Sequence, residues 1–135
     1  MKLSKNDLTL IKAAKEVIKK ARKAKREGIA DVGSALITEQ GNIYTGVSIV
    51  YDCGIGFCAE HSAIASMITN GENRIKTIAA LDCKGRILPP CGRCREFIYQ
   101  TNEDNLDTDV IIGENKKVKL ISLLPEIWQE KYFKK

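Results

Sequence analysis

FCAEHSAI, Phe57 to Ile64, sets a thiol, an acid and the chain's only histidine side by side, and its reading decides how the chain is organised. The preceding stretch YDCGIGF carries two glycines and no periodicity, so it reads as a loop that delivers the chain into a helix from Cys58 to about Asn70. Cys58 then opens a helix. The stretch PPCGRCREF, Pro89 to Phe97, repeats the arrangement: its two prolines favour an extended entry, and a second helix is expected to begin near Cys91.

Upstream, Ser4 followed by Asp7 resembles a capping box with Asp in place of Glu. Leu10, Ala14, Val17, Ile18 and Ala21 recur at helical spacing, which predicts an amphipathic helix from Lys5 to about Glu27, stopped by Gly28. DVGSALIT and NIYTGVSIV, joined by the turn-forming EQGN, predict strands over Val32–Thr38 and Ile43–Val50. RIKTIAAL predicts a buried strand, Ile75–Leu81, before the second cysteine cluster. After that cluster come an acidic, Asn-rich turn, a strand at VIIG, a short strand at KVKLI, and a last helix from Ser122, whose hydroxyl is expected to cap it. The order of elements predicts an α/β fold: a three-layer α/β/α sandwich with a mixed five-stranded central sheet.

At 135 residues the chain has the length of one domain, and residues 1–135 are expected to form it. Apolar residues at 44% and charged residues at 29% are a globular composition. No stretch approaches the ~20 consecutive apolar residues a bilayer span requires, and MKLSKNDLTLIKAAK lacks the apolar core of a secretory signal. A cytoplasmic location without membrane contact is therefore expected. The net charge of +5 is concentrated in KKARKAKR, Lys19 to Arg26, and at the terminal lysines. No aromatic residues interleave with that run to stack on bases, so it is expected to be a solvated helix face and not a nucleic-acid surface.

Five cysteines, an odd number, in a reducing compartment point to metal binding or burial rather than disulfides. Cys91 and Cys94, three apart on the first turn of a helix, can aim both sulfurs at one point, as a CxxC pair does when it grips zinc. Cys58 supplies a third thiol from another helix N-terminus, where the helix dipole favours thiolates. Three protein ligands leave a tetrahedral position open, the pattern of a catalytic zinc. Glu60 is a hard carboxylate beside three soft sulfurs, better suited to handling protons than to ligation.

The arrangement CAE … PCGRC matches the zinc deaminase signature in its all-cysteine form, in which the glutamate is not a ligand. On VGSALIT, GNIYTGVS, CAE, PCGRCRE and LLP, taken in that order, the chain resembles the cytidine deaminases of the small homotetrameric type, with features close to blasticidin S deaminase. The resemblance implies one Zn2+ per subunit on Cys58, Cys91 and Cys94, with Glu60 as the catalytic proton shuttle. It implies hydrolytic removal of an amino group from a cytidine-like nucleoside, with release of ammonia. It also implies that the main chain of Ala59 and Pro89 holds the ring, and that Trp128 reaches a neighbouring subunit's pocket in a homo-oligomer, by resemblance a tetramer.

Several positions depart from that family's pattern. Ser48 and Val50 stand where an Asn and a Glu grip the ribose hydroxyls, which leaves the nucleoside open, with Tyr51 and Asp52 as nearby polar substitutes. Ala30 replaces an aromatic, and Pro89 replaces a serine. His61 follows the glutamate where Arg is usual, a place from which it can donate a hydrogen bond to a sulfur; Arg93, inside the CxxC, can share the charge balance. Cys83 and Cys53 read as small buried hydrophobes. The competing reading from another class is a structural zinc module with Cys53 as fourth ligand.

Overall fold

A computed structural model describes residues 1–133. Its elements are α1 (Lys5–Ala21), β1 (Ile29–Thr38), β2 (Ile43–Ile49), α2 (Ala59–Thr69), β3 (Ile75–Asp82), α3 (Gly92–Thr101), β4 (Asp109–Gly113), β5 (Lys116–Lys119) and α4 (Trp128–Phe133). The strands form one sheet in the order β2-β1-β3-β4-β5; β3 and β4 run parallel and every other neighbouring pair is antiparallel.

Alternation along the strands divides the core in two. Leu36 pairs with Ile78, and Ile78 with Val110; these three pack against Ala63, Ile64 and Met67 of α2 and Ile98 of α3. Ala35 pairs with Ala79, and these, with Ile111, pack against Leu10, Ala14 and Ile18 of α1. The sheet thus lies between α1 on one face and α2 with α3 on the other, which bears out the three-layer sandwich. Two glycines set how closely the layers approach. A Cβ on Gly33 would strike the Ala14 carbonyl and Ile18, and one on Gly46 would strike the main chain of Ser62 and Ala63. Gly46 therefore lets the start of α2 lie on β2.

The capping box of α1 forms: Ser4 Oγ accepts from Asp7 N–H, and Asp7 Oδ2 accepts from Ser4 N–H. The helix ends at Ala21 rather than near Glu27. A short 3-10 turn over Arg22–Ala24 follows, and Lys25 turns left-handed at φ +51°. Beyond Ala21 the run holds no large apolar side chain, and helix propensity without packing does not extend a helix. The last helix begins at Trp128, not Ser122; Leu120–Leu123 is a 3-10 turn in which Ser122 Oγ donates to the Lys119 carbonyl. Pro125 excludes helical backbone from Leu124, which sits at φ −144°, ψ 58°.

Candidate active site

Two returning loops bring the cysteine clusters together. After β2 the chain turns back so that Phe57 exchanges backbone hydrogen bonds with Ile49 (3.1 and 2.8 Å), and the next residue, Cys58, is the N-cap of α2. After β3 the chain turns at Gly85, and Leu88 N–H donates to the Ala80 carbonyl at 2.9 Å. Pro89 and Pro90 then lead extended chain into Cys91, the N-cap of α3, and Arg95 Nε clamps the Pro90 carbonyl at 2.9 Å. Both N-caps have extended backbone, so both cysteines stand at helix starts, as expected from the sequence.

Cys91 Sγ lies 3.6 Å from Cys58 Sγ and 3.4 Å from Cys94 Sγ. Thiolates around one tetrahedral zinc with 2.3 Å bonds stand about 3.8 Å apart, so the sulfurs need to move by only a few tenths of an ångström. His61 adds a nitrogen, with Nδ1 3.5 Å from Cys94 Sγ. The donor atoms of Cys58, His61 and Cys94 all lie within 4.8 Å of one another. The His61 ring meets Phe97 edge-on at 4.3 Å, which fixes its orientation.

Burial raises the Cys94 thiol well above the ordinary cysteine range, helped by the charge of Glu60 and by Cys91. Burial likewise raises Cys58, with Cys91 adding to it. Burial also opposes ionisation of Cys91, but the N–H groups of Cys94 and Arg93 at the start of α3, with the neighbouring thiols, outweigh it and lower Cys91. Cys91 is thus the most readily ionised of the three thiols. Burial and then Arg93 lower His61, leaving its ring neutral at neutral pH.

Glu60, in the first turn of α2, is 6% exposed. Burial raises its pKa, and its own backbone N–H and the Cys94 thiol offset that only in part. Glu60 forms part of the wall of a cavity of about 430 Å³, which Cys58, Cys91, Ala59, Pro89, Ser48, Val50 and Arg93 also line. Apolar walls from Val32, Ile49, Phe57, Ala80 and Leu88 complete the cavity. A small apolar-walled enclosure with a few convergent polar groups at one end is the form of a small-molecule site.

The family model for the cytidine and deoxycytidylate deaminase zinc-binding region matches residues 4–108. The chain belongs to this family. It is 40% identical over 68 residues to a probable cytidine deaminase of Dictyostelium discoideum, a match covering 49% of this chain and 46% of that relative, about half its length. It is 31% identical over 132 residues to the blasticidin-S deaminase of Bacillus cereus, covering 91% of this chain and 92% of the relative. The crystal structure of cytidine deaminase from Mycobacterium leprae superposes with a TM-score of 0.76 at 28% identity, over 91% of this chain and 100% of that one.

The fold is therefore the deaminase fold, and the donor set fits the one zinc per chain that a zinc-binding deaminase domain carries. Cys53 does not join the donors: it is exposed, at φ +64°, in the loop before Cys58. Cys83 is exposed in the turn after β3. Neither is the buried hydrophobe expected, because each falls on a turn that carries it away from both cores. Tyr51 and Asp52 are exposed and do not line the cavity, so the polar substitutes expected there are not on its wall. Ser48 does line it, but Ser48 Oγ accepts the Val32 N–H at 3.0 Å, so its hydroxyl is partly engaged. Val50 is 62% exposed, at the cavity's mouth. Trp128 lies outside its own chain's cavity, with Nε1 donating to Glu96 Oε1 at 2.8 Å.

Sequence reasoning passed over Asp31. It lines the cavity from β1, and no motif signalled it, because what places it there is a break in the strand register.

Proposed function

We propose that residues 1–135 form one zinc-dependent deaminase domain that hydrolyses the exocyclic amino group of a cytidine-like aminopyrimidine nucleoside and releases ammonia. The observation that carries this reading is the convergence of three cysteine sulfurs, from two helix N-termini, at a cavity that the buried Glu60 also lines.

Cys58, Cys91 and Cys94 would hold the zinc and give up their protons on binding, Cys91 most readily. The ion supplies Lewis acidity that makes water a nucleophile near neutral pH. A carboxylate oxygen of Glu60 would take one proton from the attacking water and deliver it to the ring nitrogen, then take the proton of the new C–OH as the carbonyl forms and deliver it to the amino group, which leaves as ammonia. Its raised pKa suits it to both taking and giving. The apolar walls exclude competing water, and the main chain at Ala59 and Pro89 orients the ring. His61 donates from Nδ1 to the Cys94 sulfur, and Arg93 offsets part of the charge of three thiolates.

The finer parts of the reading are a homotetramer, in which Trp128 completes a neighbour's pocket, and a cytoplasmic location. The position of Trp128 on Glu96, 53% exposed and away from its own cavity, supports the first. No described helix is long and apolar enough to cross a membrane.

The test is ammonia release from cytidine, deoxycytidine, cytosine and blasticidin S by protein carrying one zinc per chain. Turnover that stops on chelation and returns with zinc is expected. Full zinc loading with no ammonia from any of the four would sink the reading. A second substrate reading, blasticidin S, is favoured by the near full-length match to the Bacillus cereus relative, and the ranking of kcat/KM across the panel separates the two.

A further inference from the structure

The prolines before the second cysteine cluster leave their own segment short of anchors. Leu88 N–H donates to the Ala80 carbonyl at 2.9 Å, and after it Pro89 and Pro90 have no N–H to give. Only their carbonyls can be gripped. Packing leaves slack as well, because Pro90 borders a small void that it shares with Glu60, Ala80 and Leu88. Yet the segment is cavity wall: Pro89 lines the cavity together with Ala59 and Glu60.

Arg95 supplies the grip. Its N–H closes the first turn of α3 on the Cys91 carbonyl at 3.0 Å, and its side chain reaches one residue further back, with Nε donating to the Pro90 carbonyl at 2.9 Å. Nη1 donates to the Leu123 carbonyl at 3.3 Å. The turn that carries Leu123 is itself fixed, since Leu120 is fully buried and its N–H bonds the Thr108 carbonyl at 2.9 Å. Among the described residues the Arg95 guanidinium pairs with no carboxylate, so its donors serve the main chain alone. We infer that Arg95 is a positioning residue of the proposed active site: by bridging the Pro90 and Leu123 carbonyls it holds the Pro89–Pro90 wall in place against the bound ring. Cys91 is held separately, because the main-chain bond from Arg95 to its carbonyl does not depend on the side chain. Loss of the guanidinium therefore loosens the wall and spares the zinc.

The inference rests on the deaminase reading for the ring that the wall holds, so its test includes measurements without turnover. R95M and R95K are compared with the wild type and with D7N, which loses an ion pair on the opposite face of the sheet. All four should carry one zinc per chain. R95M should weaken uridine binding, read by calorimetry, by about 10-fold and lower kcat/KM for cytidine by about 100-fold, as small misplacements of a bound reactant do. R95K should recover part of both, because an ammonium lacks the rigid fork that spans two carbonyls. D7N should leave both unchanged. Without any ligand, amide exchange at Leu88 should quicken in R95M. Wild-type uridine affinity in R95M, whatever its melting temperature, overturns the inference, and so does loss of zinc in step with activity. If R95M does not fold, R95K decides: intermediate affinity supports the inference and wild-type affinity overturns it. If the wild type neither releases ammonia nor binds uridine, the deaminase reading falls, and Leu88 exchange alone decides Arg95, quickened for and unchanged against.

Discussion

Asp7 and Glu60 are carboxylic acids buried to nearly the same depth, 4% and 6% exposed, on helices that cover opposite faces of one sheet. Both lie in the first turn of their helix, yet their acidities move in opposite directions. Burial pushes Asp7 upward too, but Lys117 Nζ at 2.8 Å and the Ser4 N–H at 2.9 Å reverse the shift and hold it below the usual carboxylate range. Glu60 takes its hydrogen bonds from its own backbone N–H and the Cys94 thiol, neither a cation, and burial prevails. Depth of burial therefore does not distinguish an anchor from a proton carrier; how strongly the partners hold the charged form does.

The sharpest way to break this comparison is to remove the two charges in turn. E60Q keeps the shape of the side chain, so zinc content should stay at one per chain while ammonia release falls by about 10²–10⁴-fold, the usual range for losing a general acid–base group. The zinc-free E60Q protein should melt at or above the zinc-free wild type, because a buried charge without a cation has been removed. Full activity in E60Q, or a marked loss of stability, would show that Glu60 is an anchor like Asp7.

D7N should do the reverse. Activity per folded molecule stays, and the melting temperature falls by roughly 5–10 °C, corresponding to the loss of a charge-assisted buried bond of about 1.5–3 kcal/mol. The pH dependence follows from the lowered pKa. A carboxylate more acidic folded than unfolded stabilises fully above the ordinary Asp range near ~3.9, and that contribution disappears as pH falls through the folded value. Thermal unfolding of zinc-free wild type and D7N should therefore differ at pH 7 and converge toward pH 3. A gap independent of pH would locate the loss in packing rather than in the Lys117 pair.

How much of this was legible in the sequence follows from how local each feature is. The buried stripe of α1 at Leu10, Ala14 and Ile18 and the helix starts at Cys58 and Cys91 are written in contiguous residues, and the structure has them where the spacing put them. The opposite pKa shifts of Asp7 and Glu60 were not legible, since Lys117 reaches Asp7 from across the chain. The bulge at Ala30–Val32 was equally hidden. An alanine with positive φ has no propensity signal, and the Ser48 hydroxyl that satisfies the Val32 N–H belongs to another strand. The helical end near Glu27 and the helix from Ser122 were misplaced for the same reason: local propensity was read where tertiary packing and Pro125 decide.

A third buried acid sharpens the comparison at its weak end. Glu72, 9% exposed, accepts from Asn42 Nδ2 at 2.9 Å and Tyr44 Oη at 2.7 Å, tying the β1–β2 hairpin to the chain after α2. The Thr38 and Tyr44 hydroxyls lower its pKa against the opposing burial, and Asn42 adds to this. It is thus an anchor, but one held by neutral donors instead of a cation. An amide oxygen can replace part of what the carboxylate accepts, so E72Q should lower the melting temperature by less than about half of the D7N fall. Amide hydrogen exchange should quicken at the hairpin turn, where the Thr38 N–H bonds the Asn42 carbonyl, and should not change around Cys58 and Cys91. A fall as large as that of D7N would mean that neutral donors anchor a buried carboxylate as firmly as Lys117 does, and that a cationic partner adds nothing to the strength of the anchor.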